Sequence, residues 1–416
     1  MKRISLSLAT VFVFFLFNTC EKNDNESPPS DNQENVVYDV TLTDNTVFID
    51  SLQVSSLVKV DTADYIYYFT GSDSKITNLQ VDDILFIYGL ALRRITEITH
   101  IGDTTRVETG YATLNEAIRE GEISWNKEIN FSKGVIPVVQ MKGENIPYKS
   151  TGVDDFEFEF KYGDYKYRIK FTFNDTSANV EFEITKELVQ SVTAKFLATG
   201  SIENFYSKTE MEFADSKLTK FGQKNSDING SLTLKLIVAG SGRDNIAFDF
   251  PVVLLKFPMI VGGMPVTINV KVLFVINCVV PVDGSSQVEV KFTYNSTTGI
   301  KYNGTDVSAD ASIGERNMEE SKTPQTGASS AIGANFGLAF PRLEIGMFGE
   351  KVVPWIQTAF LIGGDYTFTP PCQQAKCQFI GACGIDFSFY GLGLKLNKTL
   401  WQEEKVLMQA GECPEE

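Results

Sequence analysis

Residues 156–173 constrain this chain more tightly than any other stretch. Phe156, Phe158, Phe160 and Tyr162 alternate with Glu157, Glu159 and Lys161, then Gly163-Asp164 intervenes, then Tyr165, Tyr167, Ile169, Phe171 and Phe173 alternate with Lys166, Arg168 and Lys170. A period of two puts the large side chains on one face of a strand, where a helix would scatter them. The two-residue Gly-Asp loop fixes a hairpin and its register, with Tyr162 opposite Tyr165, Phe160 opposite Tyr167, Glu159 opposite Arg168 and Glu157 opposite Lys170. Lys161 against Lys166 is the misfit on an otherwise charge-matched outer face. Large side chains in one stripe form the core side of a sandwich. The competing reading, a flat platform on which sugars stack, would leave an apolar patch that invites aggregation.

The rest of the chain repeats the theme. Residues 180–185, 231–238, 246–253, 288–294, 334–345, 353–360 and 385–396 alternate or run apolar at strand length. In 186–199, Val192, Ala194, Phe196 and Ala198 alternate, which favours a strand over an amphipathic helix. Val266 to Cys278 meets no breaker and would span about 43 Å at the strand rise. The apolar stretch from Pro251 to Val282 is interrupted by Pro258, Gly262-Gly263 and Pro265, so it does not suit a membrane-spanning helix. With 31 Phe, 15 Tyr and only 3 Trp, the composition also favours strands.

Upstream, residues 46–49, 56–60, 65–70, 83–88, 92–98 and 105–109 are short β-branched or aromatic runs between turn residues. Thr113-Leu-Asn-Glu116 has the form of a capping box, with Gly121 expected to close the helix it starts. Gly134, Pro137, Gly143, Pro147 and Gly152 mark a boundary. The expected fold class is therefore all-β: a small N-terminal β domain over 36–133 with one short helix, then a larger elongated antiparallel β-sandwich or curled sheet with long strands over 134–416. Asp82-Asp83-Ile-Leu, Arg93-Arg94-Ile-Thr and residues 108–123 together resemble a segment that recurs in uncharacterised secreted bacterial β-rich proteins. The resemblance implies a fold and no activity.

The first twenty residues read as an address. Lys2 and Arg3 precede an apolar run from Leu6 to Phe17 that is too short to span a bilayer, and Cys20 follows directly. This pattern resembles the signal and lipobox of Gram-negative bacterial outer-membrane or surface lipoproteins, which implies lipid attachment at Cys20 and a membrane as partner. Residues 21–35 hold no apolar side chain except two prolines, so they suit a disordered tether reaching roughly 50 Å.

Composition narrows the chemistry. The 37 Lys+Arg and 53 Asp+Glu give a net charge of -16, which argues against nucleic acid as a partner. Loss of the leader leaves 35 basic against 53 acidic residues, a net of -18. His100 is the only histidine, which argues against a multi-His metal site and most His-dependent catalysis. Cys372, Cys377, Cys383 and Cys413 are candidate disulfide partners in an oxidising compartment, and Cys278 is the candidate free or buried thiol. No cofactor, metal or catalytic residue is expected. The sequence points to a non-catalytic binding, adhesion or envelope-structural role at the cell surface or outer membrane, with a glycan or a protein as partner. The alternatives are a surface glycan-binding protein, which would present Trp and Tyr on an exposed face, and a carboxylate-based glycoside hydrolase, which would need two carboxyls across a cleft.

Overall fold

The alternating hairpin forms in the expected register. Asp155–Tyr162 and Tyr165–Phe173 pair antiparallel with Glu157 opposite Lys170, Glu159 opposite Arg168, Phe160 opposite Tyr167, Lys161 opposite Lys166 and Tyr162 opposite Tyr165. Gly163 makes the turn at φ +57°. Phe158, Tyr167, Ile169 and Phe171 are no more than 2% exposed, which makes the stripe core rather than platform.

The computed structural model describes residues 35–71, 73–132, 135–150, 152, 154–187, 192–241, 251–279, 283–320, 333–348, 354–368 and 371–411. They form an all-β fold of three sheets. The first large sheet runs in the order Asn35–Leu42, Ile118–Ile129, Phe205–Ala214, Lys217–Ser241, Val192–Glu203, Ser177–Glu187, Tyr165–Phe173, Asp155–Tyr162 and Lys149–Ser150. The 25-residue strand Lys217–Ser241 joins this sheet together. Its first half pairs with Phe205–Ala214 and its second half with Val192–Glu203, while Asp283–Tyr302 runs along its other side and carries Val307–Ala309 and Ser312–Glu320. The second large sheet runs in the order Glu144–Ile146, Pro137–Met141, Val252–Val261, Met264–Val279, Gly333–Met347, Pro354–Phe368, Pro371–Asp386 and Lys395–Gly411. The unbroken run from Val266 lies in its 16-residue strand Met264–Val279.

The two large sheets face each other, and aromatic rings meet between them. Phe182 meets Phe274 edge-on at 4.9 Å, Phe292 meets Phe360 at 5.0 Å and Phe131 meets Phe257 at 5.8 Å. Such pairs add about 0.5–1.5 kcal/mol each beyond the area they bury. No helix among the described residues is long and apolar enough to cross a membrane. The apolar stretch after Pro251 forms two strands of the second sheet, joined by the Gly262-Gly263 turn.

The third sheet is small and ordered Thr46–Ile49, Ile84–Ile87, Ala91–Ile101, Thr104–Tyr111, Ile66–Thr70 and Leu57–Asp61. Its strands fall on the six runs expected from the sequence. The expected boundary near residue 133 does not separate it, however, because Asn35–Leu42 and Ile118–Ile129 pair with each other inside the first large sheet. Residues 46–111 are thus an excursion between two strands of the sandwich. The second sheet holds this excursion through Gly263 of its Gly262-Gly263 turn: Phe48 and Tyr88 lie against Gly263, and Gly89 N–H donates to the Gly263 carbonyl at 2.7 Å, whereas Gly262 lies against the Tyr38 ring of Asn35–Leu42 in the first large sheet.

The capping box forms, with Thr113 N–H donating to Glu116 Oε2 at 2.6 Å. The helix lasts only one turn, Leu114–Ala117, and Gly121 does not close it. Gly121 instead lies within Ile118–Ile129, at φ +131°, where any Cβ would collide with the Asp39 backbone of the paired strand. Residues 385–396 also depart from the expected strand. Asp386 ends one strand, Ser388–Tyr390 makes a 3-10 turn, Gly391 adopts φ +75°, and the next strand starts at Lys395. This turn inserts Phe387, Phe389 and Tyr390 into the core beside Phe221, where burial holds the Tyr390 phenol far above its ordinary pKa.

Candidate functional site

The interior of the sandwich is not continuously apolar. On the inward face of Phe205–Ala214 the side chains run Phe205, Ser207, Thr209, Met211, and all four are fully buried. Lys217–Ser241 brings Phe221, Gln223, Asn225 and Ile228 to the same face, and Asp283–Tyr302 brings Tyr294, Ser296, Thr298 and Ile300. The ladders align these polar positions across strands. Ser207 pairs with Asn225, which pairs with Thr298; Thr209 pairs with Gln223, which pairs with Ile300. In the second sheet Thr358 stands between Ile356 and Phe360, both buried, and pairs with Gly381.

These residues form a polar belt across the strand direction. Phe205, Ile228, Tyr294 and Phe360 belong to one hydrophobic core, and Met211, Phe221, Ile300 and Ile356 to another. Each strand changes from one core to the other at the belt. Ser207, Thr209, Gln223, Asn225, Ser296, Thr298 and Thr358 are no more than 1% exposed. Their side-chain oxygens and nitrogens have no hydrogen-bond partner among the described residues. The same is true of the indole N–H groups of Trp125, which is paired with Thr209, and of Trp401, whose ring lies over Gly381. Burial also holds the Tyr294 phenol, at the margin of the belt, far above its ordinary pKa.

A magnitude decides what this arrangement requires. A buried polar group left unmade costs about 1–3 kcal/mol, so a dry belt would cost on the order of 10 kcal/mol, comparable with the whole stability of a domain. Buried polar groups of this kind are met in folded proteins by neighbouring groups, ordered water or a bound molecule. Chemically the belt can donate and accept neutral hydrogen bonds. It holds no carboxylate, thiol or imidazole that could act as base or nucleophile.

Sequence reasoning did not find the belt. Its signal was three segments, Phe205 to Met211, Phe221 to Ile228 and Tyr294 to Ile300, in which small polar residues hold the core parity between large apolar ones.

The residues singled out from the sequence lie elsewhere. Cys377 and Cys383 are buried free thiols, a correction to the expected disulfides. Both lie on Pro371–Asp386, where Cys377 is flanked by Ile362 and Lys405 and Cys383 by Ile356 and Lys398, so neither has a cysteine across the ladder. Six residues apart on one strand, they are about 20 Å from each other, far beyond disulfide reach. Burial pushes each thiol up to about 11. Cys372 lies opposite Gly411, and Cys278 lies opposite Ala334. Cys20 and Cys413 lie outside the described residues. His100 pairs with Thr105 near the end of its strand, with Nδ1 at 3.2 Å from the Thr105 hydroxyl. Glu157 takes Arg168 and Glu159 takes Lys149 at 3.2 Å, so both carboxylates are engaged on the outer face of the hairpin. No group of three or more His, Cys, Asp or Glu that could hold a metal gathers among the described residues.

Comparison with known proteins adds no name to this geometry. The chain matches no family model, no curated protein and no solved structure.

Proposed function

We propose that this protein is a lipid-anchored lipoprotein of the cell surface or outer membrane whose folded body has a non-catalytic binding role. The address rests on the Lys2 to Cys20 pattern and the tether that follows it. The role rests on one observation: a belt of neutral hydrogen-bonding side chains inside the sandwich whose polar atoms have no partner in the protein among the described residues. Such groups can hold a partner but cannot attack it, since hydrolysis by carboxylates needs two facing carboxyls and nucleophilic catalysis needs an activated nucleophile.

The test has two arms. Wild-type protein is expected in the membrane fraction, and Cys20→Ala is expected to move it to the soluble fraction; unchanged retention would count against the anchor. Purified protein mixed with envelope polysaccharide is expected to retain the polymer without releasing reducing ends. Accumulation of reducing ends would replace binding with hydrolysis.

A further inference from the structure

We propose that the outer face of the first large sheet carries a second binding site, a cavity over Gly222 that takes the carboxylate of a small hydroxylated acid such as a uronic acid. The site lies on the opposite face of the strands that carry the polar belt, and its walls lie entirely among the described residues. It goes beyond the binding role argued above and does not depend on the belt.

Three observations carry it. The first is an opening of known size. A cavity of about 240 Å³ lies where Phe205–Ala214, Lys217–Ser241 and Asp283–Tyr302 run side by side, with Gly222 in its floor and charged side chains around it. The Lys301 side chain on its wall is 63% exposed, so the cavity opens to solvent. Pockets for drug-sized molecules begin at about 300 Å³, so this one suits a single small unit.

The second is charge. On a chain of net charge -16, Lys208, Lys224 and Lys301 all line this one cavity. Its two carboxylates are already neutralised: Glu210 takes Lys208 at 2.8 Å and Lys220 at 3.6 Å, and Asp310 takes Lys301 at 2.9 Å. Lys224 is left over. It is half-buried, stands directly opposite Lys208 across the ladder, and has no ion pair among the described residues. Like charges facing each other across a ladder are destabilising, so the fold alone gives no reason for this pair. One surplus ammonium at a cavity fits one carboxylate, through the charge-assisted hydrogen bond that is roughly twice as strong as a neutral one.

The third is Gly222 itself. It lies in mid-strand between Glu210 and Lys301 and is not among the glycines with positive φ. A Cβ there would meet nothing closer than the Glu210 side chain at 3.8 Å, an ordinary contact. Neither backbone conformation nor packing requires glycine, which is less stable than alanine inside a strand. Gly299, which pairs with Lys224, differs, because a Cβ there would lie 2.6 Å from the Asp310 carbonyl. At position 222 a side chain would instead take up room in the cavity, and strand glycines of that kind mark the close approach of a ligand. The rest of the wall sets the frame of the acid. Ser226 and Asn126 bring a hydroxyl and a carboxamide, and the carboxylates of Glu210 and Asp310 keep lone pairs that accept from ligand hydroxyls.

The experiment is calorimetric titration of the purified full chain with glucuronate and galacturonate, with glucose as neutral comparator and glucose 6-phosphate as doubly charged comparator. At least one uronate is expected to bind about tenfold or more tightly than either comparator. Lys224→Gln is expected to weaken uronate binding at least about tenfold. Gly222→Ala is expected to weaken it at least about fivefold and to raise the midpoint of thermal unfolding, two opposite effects that damage to the fold cannot produce together. Lys291→Gln, on the same outer face away from the cavity, is expected to leave affinity within about twofold.

Uronate binding that is undiminished in Lys224→Gln and Gly222→Ala would overturn the site. A lowered unfolding midpoint in Gly222→Ala would also overturn it, since the glycine would then serve the fold. Equal binding of glucose, tighter binding of glucose 6-phosphate, or no binding of either uronate would overturn the ligand class. None of these outcomes bears on membrane retention or on retention of polysaccharide, which decide the anchor and the binding role separately.

Discussion

Asn225 and Thr298 stand directly opposite each other on adjoining strands in the interior of the sandwich, and neither side chain has a hydrogen-bond partner among the described residues. The consequence for stability is specific. Removing a buried hydroxyl is costly mainly when it orphans a protein partner, and here no such partner is left behind. Thr298→Val, close in shape, is expected to change stability by less than about 1 kcal/mol in urea denaturation, whereas Phe360→Ala, two positions from Thr358 in the facing sheet, is expected to lose about 3–5 kcal/mol. A loss at Thr298 as large as that at Phe360 would mean that the hydroxyl is tied to a protein group.

The turn of the second large sheet packs on the first at Gly262, against Tyr38 of Asn35–Leu42. Gly262 adopts φ +56°, and a Cβ there would strike the Tyr38 ring. Gly262→Ala is expected to cost about 2–4 kcal/mol, from backbone strain together with overpacking. Burial pushes the Tyr38 phenol up to about 12. The same substitution displaces the ring, so the phenol is expected to fall toward its ordinary value of about 10. Thermal unfolding reads the first effect and ring-carbon NMR across pH reads the second. An unchanged Tyr38 titration with a large loss of stability would place the damage elsewhere.

How much of this was legible in the sequence depends on how far apart the interacting residues are. The hairpin over 156–173 was readable in full because its turn, its alternation and its charge pairs are local. The six short strands over 46–111 were readable for the same reason. The nesting of that sheet was not, since it rests on Asn35–Leu42 pairing with Ile118–Ile129 across the whole excursion. The belt was hidden by parity. A polar residue inside a strand looks like solvent face until its neighbours are known, and an irregularity at Asp227, with φ +61°, lets both Asn225 and Ile228 face inward three positions apart. The cysteines misled because their spacing suggested a cluster, and one long strand instead draws Cys377 and Cys383 apart.

Those two thiols give a direct chemical test. Burial raises both to about 11, so at neutral pH they are protonated as well as shielded, and the thiolate is the reactive form. Native protein treated with iodoacetamide is expected to show neither Cys377 nor Cys383 alkylated by peptide mass spectrometry, and guanidinium-unfolded protein is expected to show both alkylated. Fast native labelling, or a non-reduced peptide linking either residue to another cysteine, would contradict the packing described.

The turn that follows Cys383 carries a pH dependence. The Lys395 ammonium, 2.8 Å from Asp386 Oδ2, and Ser388, whose amide donates to Oδ1 at 3.0 Å, hold the Asp386 carboxyl down to about 2. An aspartate in the unfolded chain titrates near 3.9, so the folded form favours the carboxylate, and its stabilising effect is fully present above about pH 5. It is lost as pH falls from there through about 2. The group is largely solvated, so the effect is small. Asp386→Asn is expected to lower the midpoint of thermal unfolding slightly at neutral pH, with the gap to wild type closing as the pH approaches 2. A gap that stays constant across that range would show that the carboxylate charge contributes nothing, and that the hydrogen bond to the Ser388 amide, which asparagine can also accept, is the whole of the cap.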